Sequence, residues 1–107
     1  MIYDFTLRQG DTLPIMSSTL TDSNGQAIKL DDCTVQFFMR RVNTSRVVGG
    51  NATVADAAAG KVSYPWSERD TAESGDYHGH WLVTTAGGEK LSVPNDGHLQ
   101  IKIEQAF

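Results

Sequence analysis

Apolar and polar residues alternate with a period of two in seven stretches: YDFTLR (3–8), LPIMSSTL (13–20), CTVQFFMR (33–40), the run from RVV to ATV (46–54), KVSYPW (61–66), YHGHWLVTT (77–85) and HLQIKIEQ (98–105). That period sends successive side chains to opposite faces of an extended strand, and the β-branched and aromatic residues suit a pleated, half-buried surface. Turn chemistry falls between the stretches, at Gly10-Asp11, Ser23-Asn24-Gly25, Gly49-Gly50-Asn51, Gly60, Glu73-Ser74-Gly75-Asp76, Gly87-Gly88 and Asn95-Asp96-Gly97. Seven short strands punctuated this often predict an all-β domain, a sandwich or a barrel.

Two segments compete for helix. ADAAA (55–59) has high helix propensity, but five residues closed by Gly60 are too few to nucleate a helix in water, so a loop or a single turn is expected. In SERDTAES (67–74) Ser67 can cap a turn with Asp70 three residues on, and Gly75 stops it. The expectation is at most one short helical turn, at 67–74.

The alternation also assigns faces. Along 77–85, Tyr77, Gly79, Trp81 and Val83 share one side, and His78, His80, Leu82 and Thr84 share the other. The first row is expected to be core, together with Cys33, Val35, Phe37 and Met39, with Leu99, Ile101 and Ile103, and with Val62, Tyr64 and Trp66. Two facing layers result, and each side chain of Phe, Leu or Ile size contributes about 1.5–3 kcal/mol when buried.

Composition narrows this picture only a little. A chain of 107 residues that is 39% hydrophobic fits one domain, residues 1–107. Thirteen acidic side chains against nine basic ones, a formal charge of -4 without long runs, give no footprint for a phosphate backbone, so nucleic acid is not expected as a partner. The single thiol, Cys33, cannot form a bridge within the chain and suits synthesis in a reducing cytoplasm. The start, MIYDFTLRQG, lacks a basic region followed by an apolar segment, and no apolar run approaches the roughly 20 residues of a membrane span; neither targeting nor a membrane is expected.

The most suggestive chemistry is the pair His78 and His80, two imidazoles on one strand face. As part of a metal site they need further ligands, from Asp, Glu, His98 or Cys33, and no spacing nominates one. If Trp81 points inward, both histidines face solvent, and that is the expectation. There is no G-x-S-x-G nucleophile elbow, no phosphate-cradling glycine loop and no nominated partner for Asp31-Asp32, so no enzyme and no cofactor are expected. Trp66 and Trp81 are either a sugar-stacking platform or core anchors, the second being expected because of the area they bury. Leu82, apolar on the outer face beside His80, marks contact with another subunit or is an ordinary exposed leucine. Arg40-Arg41, with Arg46, forms a modest basic spot, read as a solvated hairpin tip or as a contact for an acidic protein. His78, His80, Leu82, Arg40 and Arg41 are thus the candidate interaction surface.

Several short signatures occur in order: an early Gly10, Asp11, Thr12, Pro14; Asp22, Asn24, Gly25 leading to Leu30; Val35, Phe37, Met39; Gly60, Lys61, Val62, Tyr64, Trp66; the SG-Y pattern at Ser74, Gly75 and Tyr77 with Trp81; and the closing VPNDG (93–97) before Ile101 and Ile103. The ordered set covers nearly the whole chain. It resembles the immunoglobulin-like β-sandwich of tailed-phage structural proteins, most of all the N-terminal domain of the phage baseplate upper protein family. The resemblance implies an immunoglobulin-like sandwich of two antiparallel sheets with about seven strands. It also implies a non-enzymatic virion protein of tail, baseplate or head-tail neck, made in the bacterial host cytoplasm. Its partners would be other virion proteins, or further copies of itself in a ring. The chain departs from the family in ending at Phe107, directly after the sandwich, where baseplate upper proteins carry further segments, which loosens the link to the baseplate itself. A carbohydrate-binding sandwich module assisting attachment to a host surface is the alternative.

Overall fold

The computed structural model describes residues 3–22, 24–94 and 97–106. Ser23, Asn95 and Asp96, which belong to two of the expected turns, lie outside the described residues. Nine strands form: β1 (Phe5–Arg8), β2 (Met16–Thr19), β3 (Thr34–Arg41), β4 (Val47–Asn51), β5 (Thr53–Asp56), β6 (Lys61–Tyr64), β7 (Gly75–Thr84), β8 (Lys90–Val93) and β9 (Leu99–Glu104). No described residue is helical. One sheet has the order β1-β9-β7-β3-β4 with β8 also on β7, and the other has the order β2-β6-β5. This is the expected β-sandwich, and nine strands replace about seven for two local reasons. The run at 46–54 divides at Ala52, where the chain passes from one sheet to the other, and β8 adds a short strand in a stretch with only Leu91 and Val93 as apolar signal.

The long strand β7 organises the larger sheet. Along one edge it pairs with β3 from Thr34↔Thr84 to Arg41↔Tyr77. The other edge is shared end to end, by β9 from Gly75↔Ile103 to Gly79↔Leu99 and by β8 from Trp81↔Val93 to Thr84↔Lys90. One pairing departs from a purely antiparallel plan: β1 runs parallel to β9, with Phe5↔Ile101 and Leu7↔Ile103. Parallel neighbours need a long connection rather than a hairpin, and strands at opposite ends of the chain have one.

Between the sheets, Phe37 sits at the centre of an aromatic cluster. Its ring centroid lies 5.1 Å from Trp81, 5.2 Å from Tyr64 and 5.8 Å from Trp66. Phe37 and Trp81 come from the larger sheet, Tyr64 and Trp66 from β6 and the residues after it, so the rings tie the layers together. Edge-to-face and tilted pairs of this kind add about 0.5–1.5 kcal/mol each beyond the area they bury. Phe37 is wholly buried and Trp81 is 1% exposed. Neither indole N–H of Trp66 or Trp81 has an acceptor among the described residues, so packing alone holds them. Gly79 makes the arrangement possible, because a Cβ there would meet Phe37 Cζ at 2.9 Å and Ile101 Cδ1 at 3.1 Å. The core also takes in Leu7, Met16, Leu20, Leu30 and Val48, whereas Cys33, expected in the inner row, is only half-buried, with Sγ 3.6 Å from the Asp31 carbonyl.

The crossover at 67–74 is two successive turns rather than a helical turn. They are closed by Asp70 N–H to Ser67 O at 3.0 Å and Ala72 N–H to Arg69 O at 3.5 Å. The expected cap is formed reciprocally: Ser67 N–H donates to Asp70 Oδ2 at 3.0 Å and Asp70 N–H to Ser67 Oγ at 3.3 Å. Helix does not continue because the next carbonyls are taken from outside: Gly10 N–H donates to Thr71 O and Gln9 Nε2 to Ala72 O. Asp70 is buried and accepts a 2.6 Å hydrogen bond from the Tyr64 hydroxyl, which couples this loop to the aromatic cluster. Burial first, and the Asp70 hydrogen bond second, push the Tyr64 phenol well above the ordinary tyrosine range.

Three measurements check this packing. Phe37→Ala is expected to lower unfolding free energy by about 3–5 kcal/mol in urea titrations, the range for removing a buried ring; a loss near zero would contradict its central place. Gly79→Ala is expected to cost about 1–3 kcal/mol through overpacking, while an unchanged urea midpoint would mean that Phe37 does not fill that space. The raised Tyr64 pKa has a definite sign: the unfolded chain ionises near pH 10 and the folded chain keeps its proton, so stability falls as pH rises beyond about 10. Urea titrations at pH 9 and 11 should show a fall that is smaller in Tyr64→Phe, and an equal fall in both proteins would contradict the buried phenol.

Candidate functional site

The smaller sheet covers the inner face of the larger one, and the outer face carries no described element. Its composition follows from strand phase. With Val35, Phe37 and Met39 inward, Gln36, Phe38 and Arg40 of β3 point out; with Tyr77, Gly79, Trp81 and Val83 inward, His78, His80 and Leu82 of β7 point out. Cross-strand register sets Phe38 opposite His80 and Arg40 opposite His78. On β4, Val47 stands beside Arg40 and Gly49 beside Phe38, and Val47 is 56% exposed. With only a glycine at its side, Phe38 has no β4 side chain over its ring.

A hollow of about 230 Å³ lies here, lined by Phe38, Met39, Arg40, Val47, His78, His80 and His98. All three histidines of the chain meet in it. His98 precedes β9 and stacks on His78 with ring centroids 4.8 Å apart and planes within 6° of parallel. A second depression, lined by Arg40, Val42, Asn43, Thr44, Ser45 and His78, adjoins the first through the two residues they share. The surface is therefore a groove along β3 from the β3–β4 hairpin toward His98. Stacked rings present faces to one another instead of aiming nitrogens at a common point, and among the described residues no three His, Cys, Asp or Glu side chains are placed to hold a metal ion.

The charge around the groove is one-sided. The described lining holds one guanidinium and three imidazoles and no carboxylate. The nearest acid on this face of β7, Asp76, accepts the Tyr3 hydroxyl at 2.9 Å, and that hydrogen bond is the main reason the Tyr3 phenol titrates above its ordinary value. Lys102 lies 5.2 Å over the Tyr3 ring and 3.8 Å from Glu104. The far end of the face thus balances its own charges, and the histidine end does not.

Of the five residues singled out from sequence, Arg40, His78 and His80 line the hollow. Leu82 lies one step along the same face, opposite Gln36 and Ser92, and half-buried. Arg41 parts from Arg40 because neighbours on a strand point to opposite faces; its guanidinium lies over Gly75, where a Cβ would meet Nε at 2.6 Å. Arg46 turns away too, with Nε 2.8 Å from Glu73 Oε2, off the N–H axis, and Nη2 donating to Arg69 O. His98, Phe38 and Val47 were not singled out as a surface. The alternation in HLQIKIEQ puts His98 on the face of Gln100 and Lys102, but its place beside His78 needs the β7–β9 register, which no local signal carries. Of the two readings of Trp66 and Trp81, the expected one holds: both are core anchors, and neither ring is exposed for a glycan to stack on.

No family model matches the chain. No curated protein matches it either. Among solved structures, the fold is similar to the N-terminal domain of phage TP901-1 ORF48, with a TM-score of 0.63 and 16% identity over 94% of this chain and 83% of that one. At that identity the likeness is one of fold: this sandwich is an architecture that a phage protein domain also uses.

Proposed function

We propose that the chain is a non-enzymatic structural or assembly protein of a tailed-phage particle, encoded by a phage or a prophage. It works in the tail, baseplate or head-tail neck through contacts with other virion proteins or with further copies of itself in a ring. The observation that carries this reading is the likeness of nearly the whole fold to the N-terminal domain of phage TP901-1 ORF48. The outer face supports it as a surface for binding, with Phe38, His78 and His80 half-buried and Val47 and His98 exposed around one hollow. Its groove offers no nucleophile held by a base: no hydrogen bond joins its histidines to a serine, threonine or cysteine among the described residues. A net charge of -4 without long basic runs favours a protein partner over nucleic acid. Among the described residues no helix is long and apolar enough to cross a membrane.

Mass spectrometry of gradient-purified particles from a lysate of the phage or induced prophage that carries the gene tests the reading. The chain is expected at a fixed ratio to the tail proteins, with genes for portal, head-completion or tail proteins flanking its own. Abundance in the lysate with absence from the particles, or metabolic genes on both sides, would contradict it.

A further inference from the structure

We infer that the histidine groove and the open edge of β4 together form a docking site for an extended, carboxylate-bearing segment of a partner protein, which adds to β4 as a further strand. The inference rests on the protein-contact reading above and names the surface and the partner's chemistry.

Three observations converge. The first is the state of the sheet edges. Arg41 N–H donates to Arg46 O, so 41/46, 39/48 and 37/50 are the hydrogen-bonded pairs of this antiparallel ladder. The N–H and C=O groups of Val47, Gly49 and Asn51 therefore point away from β3, at the end of the sheet. Edges are ordinarily blunted by charge, proline or a bulge. β5 has a bulge at Val54/Asp56 and an acid in it, β1 ends in Arg8, and β2 begins just after Pro14; β4, VVGGN, has none of these devices. The second is continuity: Val47 belongs both to this edge and to the hollow, so a strand laid on β4 directs alternate side chains over Phe38 and toward Arg40.

The third is charge. The groups facing the hollow are Arg40 from β3, His78 and His80 from β7 and His98 before β9, with Asp76 engaged by Tyr3 and Lys102 beside Glu104. A chain that is acidic overall has kept carboxylates out of the described lining of this hollow, which complements a carboxylate brought from outside.

The test is ¹⁵N–¹H NMR titration of the full chain with acetyl-Thr-Val-Glu-Val-Asp-Val-Thr-amide and with its Gln/Asn counterpart. The acidic peptide is expected to shift the amides of Val47–Asn51, Phe38–Arg40 and His78–His80, and to bind at least about fivefold more tightly than its Gln/Asn counterpart. Arg40→Gln and His98→Gln, both on the exposed side of the sheet, should keep the wild-type spectrum elsewhere and weaken binding by about fivefold or more. Equal binding of the uncharged peptide, shifts confined to other surfaces, or none at about 5 mM peptide would overturn the inference. So would shifts of these same amides with protein concentration alone, which would seat a second copy on the groove. A chain present in particles that ignores the peptide keeps its structural role and loses this site; a chain absent from particles that binds the peptide does the reverse.

Discussion

The ring of Phe37, wedged between Trp81 of its own sheet and Tyr64 and Trp66 of the facing one, is the contact on which the rest of the sandwich depends. It requires a bare position across the strand, which Gly79 provides, and it fixes the phase of β3 and β7 together. A shift of one residue in either strand would turn its whole inner row outward. The outer face is thus a consequence of the core: Phe38 and Arg40 face out because Phe37 and Met39 face in, and the two histidines flank Gly79 because the ring occupies the space inside it.

The same interlock steadies the ends of the molecule. Tyr64, in van der Waals range of Phe37, donates to the buried Asp70, which holds the 67–74 turns, and Thr71 in turn donates to Asp11 O while its own carbonyl receives Gly10 N–H. A buried carboxylate is tolerated only when such donors surround it, and here the Tyr64 hydroxyl and the Ser67 amide do so. The result is a platform on which the histidine groove and the edge of β4 lie side by side.

Period-two alternation made the strands, the inner rows and the outward turn of His78 and His80 legible, because burial on one face writes itself directly into sequence. What stayed hidden depends on register or weak burial. β8 buries little, with Leu91 40% exposed, so its signal is faint. Leu30 enters the core from outside the strands and outside the seven alternating stretches, and no periodicity marks it. Arg40 and Arg41 read as one basic spot, although strand geometry sends them to opposite faces. His98 could be placed on a face but not beside His78, because that neighbourhood arises from pairing strands more than a dozen residues apart. The resemblance to phage sandwiches came from turns and core residues, which explains why it foretold the fold and said nothing of the outer groove.

Hydroxyl-radical footprinting of the native chain, read residue by residue by mass spectrometry, bears most directly on the central claim that the indoles lie inside and the imidazoles outside. Tryptophan and histidine both react readily when accessible, tryptophan somewhat faster. The account predicts that Trp66 and Trp81 stay unmodified until urea unfolds the chain, while His78, His80 and His98 are modified in the folded protein. Rapid oxidation of Trp81 under native conditions, with His78 and His80 protected, would mean that β7 is turned the other way and that the groove does not exist.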